Sequence, residues 1–448
     1  MVSSIRRDPA SEHVGGAIAW LRARPWTYAY AVLVLWALVP ELRRVIDWKS
    51  SFSSVSLVSI VPLLSLLPAA AAFFYTARAA KLQRPFVVAA WMWCGAFGYA
   101  YAIGLATGNA AAATYTLLGF ILPMFFGMYV ATMDVPIDVA YERIASFALA
   151  LSVPVALYAF FQYAFPPPWD LYWIQQANLV NVGTAAAFAF RPFATLNGPG
   201  PFADFLALVL VLNLPRLRAA NVLRLSAIAL NVAALALTLV RADWLALAHA
   251  VLVFVALGPR KFRNLSFIGV AAIALALFGS NAAALLGNSP AGIQLQSRFE
   301  SLNTITTDSS FLDRQLLFGN ALSTALAEPT GEGLGVTGTA AKLGARGATA
   351  DFDNGYIARL TEMGYFGTLV YLLTIVLMLA YSIGRWRAAN RAKDLTAASI
   401  VSAAIAIQVA LVFLDVSGDH HAQLSGIFFW LSYAFVFGAS RRNELADN

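Results

Sequence analysis

Charge is what this chain of 448 residues has least of: Asp, Glu, Lys and Arg make up 12% of it, roughly half the share carried by soluble proteins. That shortage excludes an exterior built mainly to face water. Cysteine is down to one, Cys94, which excludes an intramolecular disulfide. Extended polar sequence is confined to residues 282–354. A cleavable signal is not expected either, because the first apolar run begins at Trp26 and continues into Glu41, Arg43 and Arg44 without a small-residue cleavage pattern.

What the chain has is apolar surface: 60% of its residues are hydrophobic and its mean hydropathy is +0.69. Runs long enough to cross a hydrocarbon core of ~30 Å fall at Trp26–Pro40, Val55–Tyr75, Phe86–Ala106, Ala111–Met133, Ile144–Phe165, Phe202–Pro215, Leu225–Val240, Trp244–Gly258, Leu265–Asn281, Gly355–Gly384, Leu395–Phe413 and Ala422–Ala439. These twelve spans predict an all-α polytopic membrane protein. Its organisation is read as helices 1–5 in residues 1–165, an outer segment 166–201, helices 6–9 in 202–281, a large outer segment 282–354 forming a helical cap, and helices 10–12 with a tail in 355–448.

Lys and Arg near span ends resist transfer across a membrane, so their distribution sets orientation. With the N-terminus inside, Arg6, Arg7, Arg22, Arg24, Arg78, Lys81, Arg84, Arg143, Arg216, Arg218, Arg224, Arg260, Lys261, Arg263, Arg385, Arg387, Arg391, Lys393, Arg441 and Arg442 are cytoplasmic, twenty of the thirty basic residues. Both termini then face the cytoplasm. The net charge of +7 reflects this topology and gives no argument for nucleic acid. Arg43, Arg44 and Lys49 fall in the first outer connection, an amphipathic stretch expected to rest on the membrane surface. Arg191, Arg241, Arg298, Arg314, Lys342, Arg346 and Arg359 remain, all in or beside outer segments and all against the orientation rule. Some of them are candidates for holding an anion.

Arg241 stands between two uncharged stretches, Leu225–Val240 and Trp244–Leu257. A guanidinium deep in lipid costs at least ~2.5 kcal/mol even on lenient scales, so it needs a partner or a task. Arg191 lies in an aromatic-rich outer segment with Trp169, Tyr172, Trp173, Phe188, Phe190 and Phe193. Arg314 falls in the first turn of an amphipathic helix expected over 311–327, opened by a capping box at Ser310 and Asp313. A cation at the already positive end of a helix makes a better anion site than either feature alone. The run Gly331-Glu-Gly-Leu-Gly335 is read as a flexible turn or as a phosphate-cradling nest. No strand, Lys-Ser or Lys-Thr accompanies it, so a nucleotide loop is unsupported.

Taken in order, Arg191 with Asn197-Gly198-Pro199, Val240-Arg241-Ala242-Asp243-Trp244, Arg314 with Gly333-Leu334-Gly335, and Asp353-Asn354-Gly355-Tyr356 with Glu362-Met363-Gly364 and Gly367 resemble the O-antigen ligase and Wzy-type polysaccharide polymerase superfamily. The resemblance covers roughly 150–370. It implies a GT-C-like integral-membrane glycosyltransferase that takes an undecaprenyl-diphosphate-linked glycan as donor on the outer face of a bacterial inner membrane. Nucleotide sugars are not available there, and a lipid diphosphate would supply the activated anomeric carbon. Fixed guanidiniums can neutralise the charge that develops on such a leaving group, a task suited to Arg191, Arg241 and Arg314. Asp353 is the candidate to orient or deprotonate an acceptor hydroxyl, with Arg241 beside it in catalysis. Asn354, Tyr356, His420 and His421 are possible supports. In the ligases of this superfamily a His usually precedes the Asn, whereas polymerases more often carry Asp, so the resemblance favours a polymerase that lengthens chains on lipid-linked repeats. It implies donor and acceptor lipids as partners, with a chain-length regulator protein as a further one, and no cofactor.

Plainer readings stand beside these. Asp353 precedes a spanning helix, where an Asp or Asn caps free amides for about 1 kcal/mol. Arg241 can pair with Asp243 or snorkel, Arg191 can touch lipid headgroups, and Arg314 can pair with Asp308 or Asp313. Arg359 and Glu362 suit a buried structural pair, His420 and His421 an interfacial role, and the aromatics an interfacial belt. Asp351 and Asp353 could hold a divalent cation, but three arginines serve the diphosphate and no metal is expected. A ligase delivering glycan to lipid A core and a transporter of lipid-linked sugars are the alternatives, although a transporter should show related halves and broken midplane helices.

Overall fold

A computed structural model describes residues 19–21, 23–53, 55–74, 82–177, 182–219, 221–258, 318–319, 322–323, 326–344 and 354–444, with backbone alone at 218–219 and 438–444. Among these residues the longer elements are α1 (Pro25–Lys49), α2 (Leu57–Phe74, in three short pieces), α3 (Arg84–Ala106), α4 (Ala110–Ala131), α5 (Ile137–Ala164), α6 (Pro168–Gln176), α7 (Pro199–Asn213), α8 (Val222–Thr238), α9 (Arg241–Leu257), α10 (Gly355–Arg391), α11 (Leu395–Leu414) and α12 (Gln423–Glu444). The one β feature among them is an isolated antiparallel bridge between Gly183 and Phe190. The protein is an all-α polytopic membrane protein. Seven segments, α2 to α5, α7 with the turn after it, α10 and α11, are long and apolar enough to cross a membrane.

Local chemistry explains where these helices start. Proline occupies the first turn of α1, α3, α6 and α7, where its missing N–H is no loss. Asn221, Asn354 and Asp394 cap α8, α10 and α11 by accepting the backbone N–H three residues on. Helix α10 is broken at Gly364, whose φ of 60° and ψ of −165° lie outside helical space. There the chain of Pro329–Gly331 presses in, Tyr365 N donates to Pro329 O at 3.0 Å, and a Cβ at Gly364 would sit 2.2 Å from that carbonyl. Only glycine fits.

Packing joins the late helices to the early ones. Helix α12 lies along α4 and α11, α9 along α11, and α10 along α3. Helix α7 is enclosed almost completely, its residues from Phe202 to Asn213 all buried, and it forms the centre around which α5, α8, α9 and α11 pack.

Three expectations need revision or lie beyond the described residues. The stretch after Pro40 is not a separate surface segment: α1 continues to Lys49 and turns Arg44 fully inward. The expected span Leu265–Asn281 and most of the expected helix over 311–327 lie outside the described residues.

Candidate active site

Five helix ends meet at one end of the bundle. The start of α10 is tied to the end of α11 by Gly355 N donating to Asp415 O at 2.7 Å. The starts of α7 and α12 meet through Asp204, in the second turn of α7, whose Oδ2 accepts from Ser425 Oγ at 3.3 Å. Asp243 in the first turn of α9 lies beside the same Asp204. Four of these ends are helix N-termini, each carrying about half a positive charge from its unpaired amides. That end of the bundle is electrostatically suited to anions.

The charged side chains there form a connected set. Asp204 Oδ2 also accepts from His420 Nδ1 at 2.9 Å. Arg191 acts electrostatically on Asp243, and its Nε donates to Thr238 O at 2.8 Å, the last residue of α8. Arg191 is held there by a turn that Arg191 N closes on Val182 O at 2.7 Å. Beneath that turn Trp173, Ile174, Val182, Phe190 and Phe193 make a buried apolar cluster. Trp173, Phe190 and Phe193 therefore pack as a local core, while Phe188 stays exposed.

Next to this set lies a second, tighter one. Asp415 Oδ2 accepts from Tyr371 OH at 2.8 Å and from His421 Nδ1 at 2.5 Å, while Asp415 Oδ1 accepts from His420 N at 2.8 Å. Burial pushes the Asp415 carboxyl up, but the imidazoles of His421 and His420 outweigh it and hold Asp415 below the usual carboxylate range. Arg359 pairs with Glu362 at 2.7 Å and with Asp419 at 3.0 Å, so the structural pair expected from their spacing is present.

Glu362 in turn fixes the glycine run. Its Oε1 accepts from Gly335 N and Thr337 Oγ1, both at 2.9 Å, and its carbonyl accepts from Gly333 N at 3.1 Å. Glu332 N donates to Thr361 O and Leu334 N to Ala100 O. Gly331, Gly333 and Gly335 have φ of 81°, 98° and 83°, and a Cβ on any of them would come within 2.5 Å of the backbone of α10, α3 or α4. The run is neither a flexible turn nor a phosphate nest, because its amides are spent on protein. It is a packing wedge.

Of the residues singled out by sequence, Arg191, Asn354, Tyr356, His420 and His421 come to this end, and Arg241 opens α9 there, half-buried. Asn354 takes the N-cap position of α10, accepting from Ile357 N at 3.1 Å and donating Nδ2 to Val416 O at 3.2 Å. Tyr356 ties α10 to α11 through Val412 O at 2.7 Å. Asp353 and Arg314 lie outside the described residues, as do Asp351, Arg298 and Arg346. No group of three or more His, Cys, Asp or Glu side chains is arranged for a metal among the described residues.

Sequence reasoning missed Asp204, Asp415 and Asp419. A signal existed for the first: Asp204 stands alone in the apolar run Phe202–Pro215, and an acid in a span costs about as much as a base. Counting only Lys and Arg for orientation passed over it.

Residues 226–372 match the family model described as O-antigen ligase. That segment takes in most of α8, all of α9 and the first half of α10, so it contains Arg241, Asp243 and Asn354 and stops short of His420. No curated protein matches the chain.

Proposed function

We propose that this chain, whose residues 226–372 match the family model described as O-antigen ligase, is a glycosyltransferase acting on a lipid-diphosphate-linked glycan, in the manner of a polysaccharide polymerase. The observation that carries the proposal is the gathering of Arg191, Asp204, Asp243 and His420 with four helix N-termini at one end of an apolar bundle. Charged groups in that setting are too costly to be idle. The end that gathers them is taken as the periplasmic face of a bacterial inner membrane, with both termini cytoplasmic.

In this reading Arg191, Arg241 and Arg314 bind the diphosphate of the donor. Asp353 receives the proton of the acceptor hydroxyl, whose oxygen forms a bond to the anomeric carbon as the bond from that carbon to the phosphate oxygen breaks. The electron pair leaves on undecaprenyl diphosphate, and a single displacement inverts the anomeric centre. Fixed guanidiniums contribute by meeting charge where it develops, without reorganising.

The test is to incubate the purified chain with a synthetic lipid-linked repeat as the one glycan substrate. A ladder of products is expected. The family description itself favours a second reading, a ligase; transfer to lipid A core without a ladder would select it, and no transfer to either acceptor would sink both. Arg241→Ala and Asp353→Ala are each expected to abolish product in folded protein, and a near-normal ladder from either variant removes its assigned role.

A further inference from the structure

His420 stands in the 415–422 turn between α11 and α12, held from two directions. Its backbone N–H donates to Asp415 Oδ1 at 2.8 Å, within the turn, and its Nδ1 meets Asp204 Oδ2, on α7, at 2.9 Å. Ser425 on α12 steadies that same Asp204 oxygen. The ring cannot swing without giving up one anchor. Its side chain keeps 13% of its surface open, and Nε2 lies over Gly418, where a Cβ would come within 2.9 Å of it. With Nδ1 spent on a carboxylate, Nε2 is the atom left to meet a ligand.

We propose that His420 is a cationic contact for a phosphoryl oxygen of the lipid-linked diphosphate, oriented by Asp204 and joined to Arg191 through the Asp204–Asp243 carboxyl pair. The proposal rests on the reading that the substrate carries a diphosphate. It adds a binding residue from a turn outside the family-matched segment, and it gives Asp204 a purpose as a positioning residue. Asp204 lies on the Nδ1 side of the ring, so the imidazole stands between that carboxylate and a ligand at Nε2. The carboxylate then supports the charge without facing the phosphate.

The surroundings keep the ring charged. Burial pushes the His420 imidazole down, but Asp204, aided by Asp415 and Asp419, outweighs it and raises its pKa to about 9. Beyond these acids stand Asp243 on α9, His421 within the turn, and Arg359 and Tyr371 on α10. A histidine raised in this way keeps its proton through neutral pH and loses it as pH climbs through about 9. A charge-assisted contact at Nε2 should follow that loss, whereas arginine contacts do not titrate in the range.

The experiment measures binding of undecaprenyl diphosphate to the purified full-length chain in detergent, from about pH 7.5 to about pH 10, where the diphosphate is ionised throughout. Wild-type affinity is expected to fall as pH rises through about 9. His420→Gln should lower affinity at least about tenfold at the start of the range, while His420→Arg should stay near wild type and lose the fall. Asp204→Asn should move the fall towards the ordinary histidine range, a shift that a merely structural role would not produce. A wild-type profile flat to pH 10 overturns the proposal and needs no variant to fold. So does His420→Gln binding like wild type, or His420→Arg failing as deeply as His420→Gln. Wild-type binding with indifferent His420 variants removes this inference alone; no wild-type binding at any pH removes the diphosphate reading beneath it.

Discussion

Two charged clusters lie close together, one around Arg44 and one around Asp204, and they close their hydrogen bonds differently. Arg44 is fully buried, pairs with Asp170 at 2.7 Å and with Glu41, and donates to the carbonyls of Ala194 and Leu196. Asp170 accepts further from Tyr158 OH and Gln162 Nε2, both at 2.8 Å, and Gln162 Oε1 accepts from the amides of Phe193 and Ala194. Every strong valence of that cluster is taken by protein. Around Asp204 this is not so: Asp204 Oδ1 and Asp243 Oδ1 are buried with no donor among the described residues, although the two carboxyl groups adjoin. A closed network holds structure, while an open one is arranged for something that arrives. The Arg44 cluster clamps the very loop that carries Arg191, so the first network serves the second.

The largest effect expected is on the closed cluster. Removing one partner of a buried ion pair leaves an uncompensated charge and costs about 3–5 kcal/mol, so Arg44→Ala should sharply lower the thermal unfolding midpoint in detergent and the yield of monodisperse protein. An Arg44→Ala protein that stays as stable as wild type while losing glycan transfer would break the comparison, since it would make Arg44 functional. Arg191→Ala is expected to behave in the opposite way. Loss of one preorganised cation costs roughly 10²–10³-fold in turnover, whereas the hydrogen bond from Arg191 to Thr238 O is worth about 1 kcal/mol of stability. Turnover within about threefold of wild type would place Arg191 with the structural residues.

The spans were legible because hydropathy is local: the runs read from sequence overlap α1 to α5 and α7 to α12, and the remaining run lies outside the described residues. The end of α1 was misread for an equally local reason, since Pro40 and the charges from Glu41 to Arg44 look like a helix ending. Pro40 is inside the helix all the same, and the charges are solvated by Asp170 and by backbone carbonyls from a segment about 150 residues away, which no local pattern reports. The site was half legible. Arg191 and Arg241 stood out because cations at the outer end violate the orientation rule, but acids do not enter that rule. The pairing of Asp204 with His420 spans 216 residues of sequence; only the packing of α7 against the turn before α12 reveals it.

The smallest expected effect separates capping from chemistry at the start of α10. Sequence alone left Asp353 open to both roles, but Asn354 occupies the N-cap, with its Oδ1 on Ile357 N at 3.1 Å. Substituting a cap by alanine costs about 1 kcal/mol, and serine or aspartate restores it because each offers an oxygen at the same reach. Asn354→Ala should therefore lower stability by about that amount, and Asn354→Ser should recover it. Asp353→Ala should leave the unfolding midpoint unchanged and remove transfer. If Asp353→Ala instead destabilises as much as Asn354→Ala and spares transfer, the open cluster has lost its proposed base, and the acceptor proton must go elsewhere.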